Sequence, residues 1–250
     1  MKRAAAISLG SLALALAVPA LAPAALVEIN EIGVVTKPGG PMCPHEPCEV
    51  LTRTTGYQSK VVATGLFAVP RGGRLVAWTV SLGHPNASQV AYFRSREGGP
   101  AEAGIEVLAP VRKAPHTTTT YGYKLVGAGP VERIGGFFGR TATFTLETTI
   151  RVSRGDVIAL NVPTWAPVLA CENTERVTVT ETVNGKETRK TRTVCKASGP
   201  WSWRASRSKA ACLNTSTPTN QTLVGSLGYY ECLYHGVRLT YSATVLRGLG

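Results

Sequence analysis

The sequence predicts an all-β protein: an antiparallel sandwich or barrel from which one polar hairpin projects. Three observations carry this. Apolar and polar residues alternate with period two in run after run. Gly- and Pro-rich turn signals separate the runs. Past the first two dozen residues, no stretch sustains an apolar period of 3.6.

The elements follow in chain order. Lys2 and Arg3 precede an almost wholly apolar run from Ala4 to Ala22, and Ala22-Pro23-Ala24 supplies small residues. That is the charged, apolar and small-residue pattern of a signal peptide, residues 1–24, with cleavage after Ala24. The alternative is an uncleaved anchor helix, for which the run is borderline in length. No later stretch is long and apolar enough to span a bilayer. The remainder, 25–250, reads as one sandwich domain and is expected to be secreted. Residues 25 to about 42 form an extended lead-in. In Gly73–Leu82, Val76, Trp78, Val80 and Leu82 share one face. Ile105, Val107, Ala109 and Val111 alternate likewise, as do Tyr121, Tyr123 and Leu125. Ala142, Phe144 and Leu146 oppose Thr143, Thr145 and Glu147. Ile158, Leu160 and Val162 follow the turn Arg154-Gly155-Asp156. Val237, Leu239, Tyr241, Ala243 and Val245 alternate near the C-terminus. An insertion at about 166–215 interrupts this body.

Cys43, Cys48, Cys171, Cys195, Cys212 and Cys232 are an even set in an exported chain, so three disulfides are expected. Six cysteines allow 15 pairings. Local closure favours Cys43 with Cys48, Cys171 with Cys195, and Cys212 with Cys232. One difficulty stays open. If Asn184-Gly185 is a two-residue turn, Cys195 falls opposite Thr174, three places from Cys171. A metal site on Cys43, His45 and Cys48 is the rival reading, and it lacks a clear fourth ligand.

Charge is lopsided. The 250 residues hold 27 Lys+Arg against 15 Asp+Glu, a net +12. Loss of the leader leaves +10. Residues 186–209 alone carry +7. Arg176–Val183, the Asn184-Gly185 turn and Lys186–Val194 read as a Thr-rich hairpin. Trp201 and Trp203 follow on one strand face. Paired indoles stack on sugar rings, and clustered cations attract anionic polymers. Trp201, Trp203, Arg189, Lys190, Arg192 and Arg204 are therefore the candidate ligand-binding residues. The partner they point to is a glycan or another anionic envelope polymer. Plainer readings exist: indoles that cap the core, and basic residues that guard an open edge.

From Gly65 to Val162 the chain resembles a largely uncharacterised group of secreted, jelly-roll-like β-sandwich proteins of high-GC Gram-positive bacteria. The carriers are Pro70-Arg71-Gly72-Gly73 before Val76-Ala77-Trp78-Thr79-Val80, and Val152-Ser153-Arg154-Gly155-Asp156-Val157-Ile158-Ala159-Leu160. The use of 18 Arg against 9 Lys suits a GC-rich genome. The resemblance implies a fold and an extracellular address, and no activity.

Catalytic signatures are absent. There is no nucleophile elbow, zinc-protease helix or phosphate loop, and no cofactor or nucleic-acid-binding motif. Asp156 is the only aspartate. His45, His84, His116 and His235 show no metal spacing. Asn86-Ala87-Ser88 is a formal glycosylation sequon. Glu102, Glu106, Glu132 and Glu147 are the candidates for a carboxylate pair, as a polysaccharide hydrolase needs. A non-catalytic binding protein is the leading expectation. A hydrolase and a structural envelope protein are the alternatives.

Overall fold

The computed structural model describes residues 27–35, 39–61, 67–111, 122–183, 186–213 and 217–248. The expected leader, Tyr121, His116 and the expected Asn184-Gly185 turn lie outside them.

Strands dominate. In chain order come β1 (Val27–Gly33), β2 (Leu51–Lys60) and β3 (Gly73–Ser81), then one helix, α1 (Ala87–Arg96). Next are β4 (Glu102–Pro110), β5 (Gly122–Ala128), β6 (Glu132–Arg133), β7 (Thr141–Val152) and β8 (Val157–Ala166). The cysteine-bearing region holds β9 (Leu169–Cys171), β10 (Thr174–Val183), β11 (Lys186–Cys195) and β12 (Ser202–Ala205). The chain ends with β13 (Leu227–Tyr229), β14 (Cys232–His235), β15 (Val237–Leu239) and β16 (Tyr241–Gly248).

Two antiparallel sheets enclose the core. The smaller runs β1-β16-β3-β7; the larger runs β13-β5-β4-β8-β2-β12-β14, with β6 beside β4. Only Tyr230 and Glu231 separate β13 from β14, yet these strands flank opposite ends of the larger sheet. So short a link spans roughly 11 Å at most, so the sheet curls back on itself as a half-barrel. Trp78 is fully buried between the sheets and stacks on Phe144 at 4.7 Å.

Three local departures from strict alternation matter. A bulge between Leu75 and Ala77 puts Leu75, not Val76, into the core beside Trp78 and Val80. One extra residue flips the facing of what precedes it. The expected single C-terminal run breaks at Thr240, whose hydroxyl donates to the Ser81 and Val168 carbonyls. There the chain leaves β15, paired with β9, and enters the smaller sheet as β16. The third departure is α1, where no helix was expected. Asn86 caps it: its side chain accepts from the Gln89 N–H at 3.0 Å, and Gln89 accepts in return from the Asn86 N–H at 2.8 Å. This is a capping box.

The disulfides are Cys43–Cys48, Cys171–Cys195 and Cys212–Cys232. Cys195 does pair with Thr174 in the hairpin ladder. The difficulty is resolved at Glu172 and Asn173, which leave the ladder and fold Cys171 back onto Cys195. The Lys196 N–H closes that turn on the Asn173 carbonyl at 2.9 Å. Since Cys43 is bonded to Cys48, the pair is not a thiolate metal site. Three disulfides suit an oxidising compartment.

Candidate functional site

The projecting hairpin is a separate two-stranded sheet, β10 with β11. Directly paired residues of an antiparallel ladder share a face. Lys190 lies opposite Val179 and Arg192 opposite Val177, so these two cations share the face with the half-buried valines. Arg189 lies opposite Thr180, on the other face, with Arg176. The basic run is thus divided between two surfaces.

The remaining candidates sit in the body of the protein. Trp201 and Trp203 are each only 6% exposed. Trp203 stacks on Tyr234 at 4.6 Å, and the Arg238 guanidinium lies 5.5 Å from the Trp201 ring. Arg204, 8% exposed, donates to the Tyr230 carbonyl at 3.1 Å and so ties β12 across the opening of the curl. β12 is itself a member of the larger sheet, between β2 and β14. In this arrangement the indoles belong to the core.

The carboxylate candidates are dispersed. Glu102 approaches Arg133 at 3.9 Å beside β6, and Glu147 is exposed on β7. Glu106 points inside the curl, 1% exposed, in a layer that includes Tyr57, Ala159 and Tyr230. Neither of its oxygens has a hydrogen-bond partner of ordinary geometry. Burial raises its pKa to about 8, and the nearby Thr55 hydroxyl only partly offsets this. Asp156 turns inward and accepts from the Ser153 N–H at 2.7 Å, so Arg154-Gly155-Asp156 is turn chemistry here.

What the structure does assemble is a groove of about 760 Å³ between α1, β11 and the Cys43–Cys48 loop. Its walls include Glu46, Glu49, Gln89, Tyr92, Glu97, Lys190 and Arg192. Each wall is anchored. The Gln89 amide donates to the Pro44 carbonyl at 3.2 Å, and the His84 N–H to the Cys43 carbonyl at 2.9 Å. The Cys171–Cys195 disulfide holds the base of the hairpin to β9. Phe93 packs on the buried Trp165 ring at 5.2 Å and seats the helix. Its neighbour Tyr92 is left 57% exposed at the groove. Glu97, at the helix C-cap, is paired with Arg53 at 3.0 Å; a bulge in β2 gives Arg53 a φ of 39° and directs it there. Desolvation raises the Glu49 pKa above its ordinary value, although the residue as a whole stays exposed.

Chemically the groove offers one exposed aromatic ring, carboxylate and amide acceptors, and two cations. Of the ligand-binding candidates named from sequence, Lys190 and Arg192 line it. Tyr92, Glu46, Glu49 and Gln89 were missed. Their one legible signal was the Asn86-to-Gln89 capping box, which places Tyr92 on a helix. No helix among the described residues is long and apolar enough to cross a membrane. No protein-family model, curated protein or solved structure matches the chain.

Proposed function

We propose that the chain is a secreted, non-catalytic binding protein for an extracellular or cell-envelope glycan, held in the groove between α1 and β11. The exposed Tyr92 ring carries this reading. Aromatic rings beside planar hydrogen-bonding groups suit the alternating apolar and hydroxyl faces of a sugar. Lys190 and Arg192 are accompanied by Glu46 and Glu49, so the groove mixes charges. That favours a neutral or weakly charged glycan over a densely anionic polymer. The apolar leader and the three disulfides support an extracellular address.

The test is binding of the protein without its leader to a panel of cello-, chito-, xylo- and manno-oligosaccharides. At least one is expected to bind, and Tyr92→Ala is expected to weaken it by about 1 to 3 kcal/mol, by analogy with base stacking. No binding across the panel, or binding indifferent to Tyr92→Ala, removes the reading.

One observation favours a hydrolase as the second reading. Glu46 and Glu49 share the groove, and the raised Glu49 pKa suits a general acid. Release of reducing ends from a bound oligosaccharide, abolished by Glu49→Gln with binding retained, would establish it.

A further inference from the structure

A second cavity, of about 710 Å³, opens where β1, β3, β7 and β16 meet. Arg74, Arg151, Arg154 and Arg247 line it, and among the described residues no carboxylate does. Val27, Val76, Val152 and Leu246 supply an apolar floor.

The two segments that carry the family resemblance build this place. The Val69 N–H donates to the Asp156 carbonyl at 2.7 Å, and the Gly155 N–H to the Val69 carbonyl at 2.9 Å. A β-carbon on Gly73 would sit 2.6 Å from the Leu246 carbonyl oxygen, and one on Gly72 3.2 Å from that of Val152. Backbone therefore packs on backbone, and Arg74, just after the first turn, meets Arg154 of the second on one lining. The bulge after Leu75 leaves Val76 outside the core, on the same lining as Arg74.

Arg74 and Arg151 stand directly opposite each other on β3 and β7, and Leu246 stands opposite Arg74 on β16. Like charges facing across a ladder destabilise it; an anion between them reverses the sign. Local acids offset little of this charge. Arg247 reaches Glu28 at 3.5 Å, and Arg74 donates to the Thr149 hydroxyl at 3.1 Å. Among the described residues no ion pair joins Arg151 or Arg154 to an acid. Asp156, two residues from Arg154, spends its carboxylate on the Ser153 N–H.

We propose that this pocket binds an alkyl phosphate, with its oxygens on Arg74, Arg151 and Arg154 and its hydrocarbon on Val27, Val76 and Leu246. Guanidinium forks match phosphate oxygens two at a time, and three arginines need an anion with several acceptors. The floor rewards burial of an attached chain, which bare phosphate lacks. The proposal is independent of the glycan groove, because none of these residues lines it.

Calorimetric titration with hexyl phosphate, inorganic phosphate and hexanol tests it. Hexyl phosphate is expected to bind about tenfold tighter than inorganic phosphate, and hexanol not to bind measurably. The R74Q/R151Q double variant is expected to lose about tenfold or more in hexyl phosphate affinity. Its thermal midpoint should be unchanged or higher, because the facing charges are gone. Leu246→Asn should reduce hexyl phosphate to the level of inorganic phosphate. Phosphatidylcholine vesicles carrying phosphatidic acid distinguish the sources. Retention on them, lost in R74Q/R151Q, assigns a membrane headgroup; binding of the soluble ester alone assigns a free amphiphile. Equal affinity of hexyl phosphate for wild type and R74Q/R151Q, or no preference over inorganic phosphate, overturns the proposal.

Discussion

The two cavities are nearly equal in size, about 760 and 710 Å³, and opposite in character. The groove sets Glu46, Glu49 and Glu97 against Lys190 and Arg192, with Tyr92 exposed between them. The pocket gathers four arginines over an apolar floor. The most basic stretch of sequence, 186–209, supplies two cations to the groove and none to the pocket. The pocket's arginines come from positions 74, 151, 154 and 247 instead. Charge density along a chain is therefore a poor guide to charge density in space. Strand alternation splits neighbours such as Arg189 and Lys190 between faces, while antiparallel pairing brings Arg74 and Arg151 together.

The largest expected effect tests whether the indoles belong to neither cavity. Trp203→Ala should cost about 3 to 5 kcal/mol of folding stability in urea denaturation, as for other buried large aromatics. A loss below about 1 kcal/mol would place Trp203 on the surface and return the stacking role to it.

Next comes Glu106, a carboxylate that lines neither cavity. Its pKa is raised from 4.5 to about 8 in the folded protein. Between these values the folded state keeps a proton that the unfolded chain has lost, so stability falls as pH rises through that window. At about 1.4 kcal/mol per pKa unit, the change is on the order of a few kcal/mol. Denaturation midpoints at acidic and alkaline pH should diverge in the wild type and converge in Glu106→Gln. A wild-type profile as flat as the variant's would mean that the carboxyl is solvated.

Salt should separate the cavities directly. Exposed charges are screened within about 8 Å at physiological ionic strength. Hexyl phosphate affinity should fall about tenfold between low and high salt, while oligosaccharide affinity should change less than about twofold. Equal salt dependence at both places would erase the contrast. The smallest effect is expected from Arg189→Gln, which does not line the groove: stability and glycan affinity should both stay within about 0.5 kcal/mol.

Much of the framework was legible in the sequence. Period-two runs marked β3, β4, β7 and β8, and local closure of the cysteines matches the disulfides found. The two-residue spacing of Trp201 and Trp203 was equally plain, although β12 begins at Ser202 and leaves Trp201 just outside the strand. That both indoles are buried was not legible, because the decisive partners Tyr234 and Arg238 arrive some thirty residues later and only packing brings them back. The bulge beside Val76 was hidden for a similar reason, since a bulge is defined by the pairing of two strands. α1 escaped because none of its residues is buried and its apolar period is weak. Its capping box is present in the sequence, but Asn86-Ala87-Ser88 also spells a glycosylation sequon, which points to a polar loop instead. With the helix went Tyr92, and with it most of the groove.

The central claim is that a glycan lies between α1 and β11. Backbone amide shift mapping by NMR, with the tightest-binding oligosaccharide of the panel, tests it most directly. The account predicts saturable shifts concentrated at 46–52, 89–97 and 190–193, absent in Tyr92→Ala. Shifts centred around Trp201 and Trp203, or spread without focus over the basic surface, would contradict it.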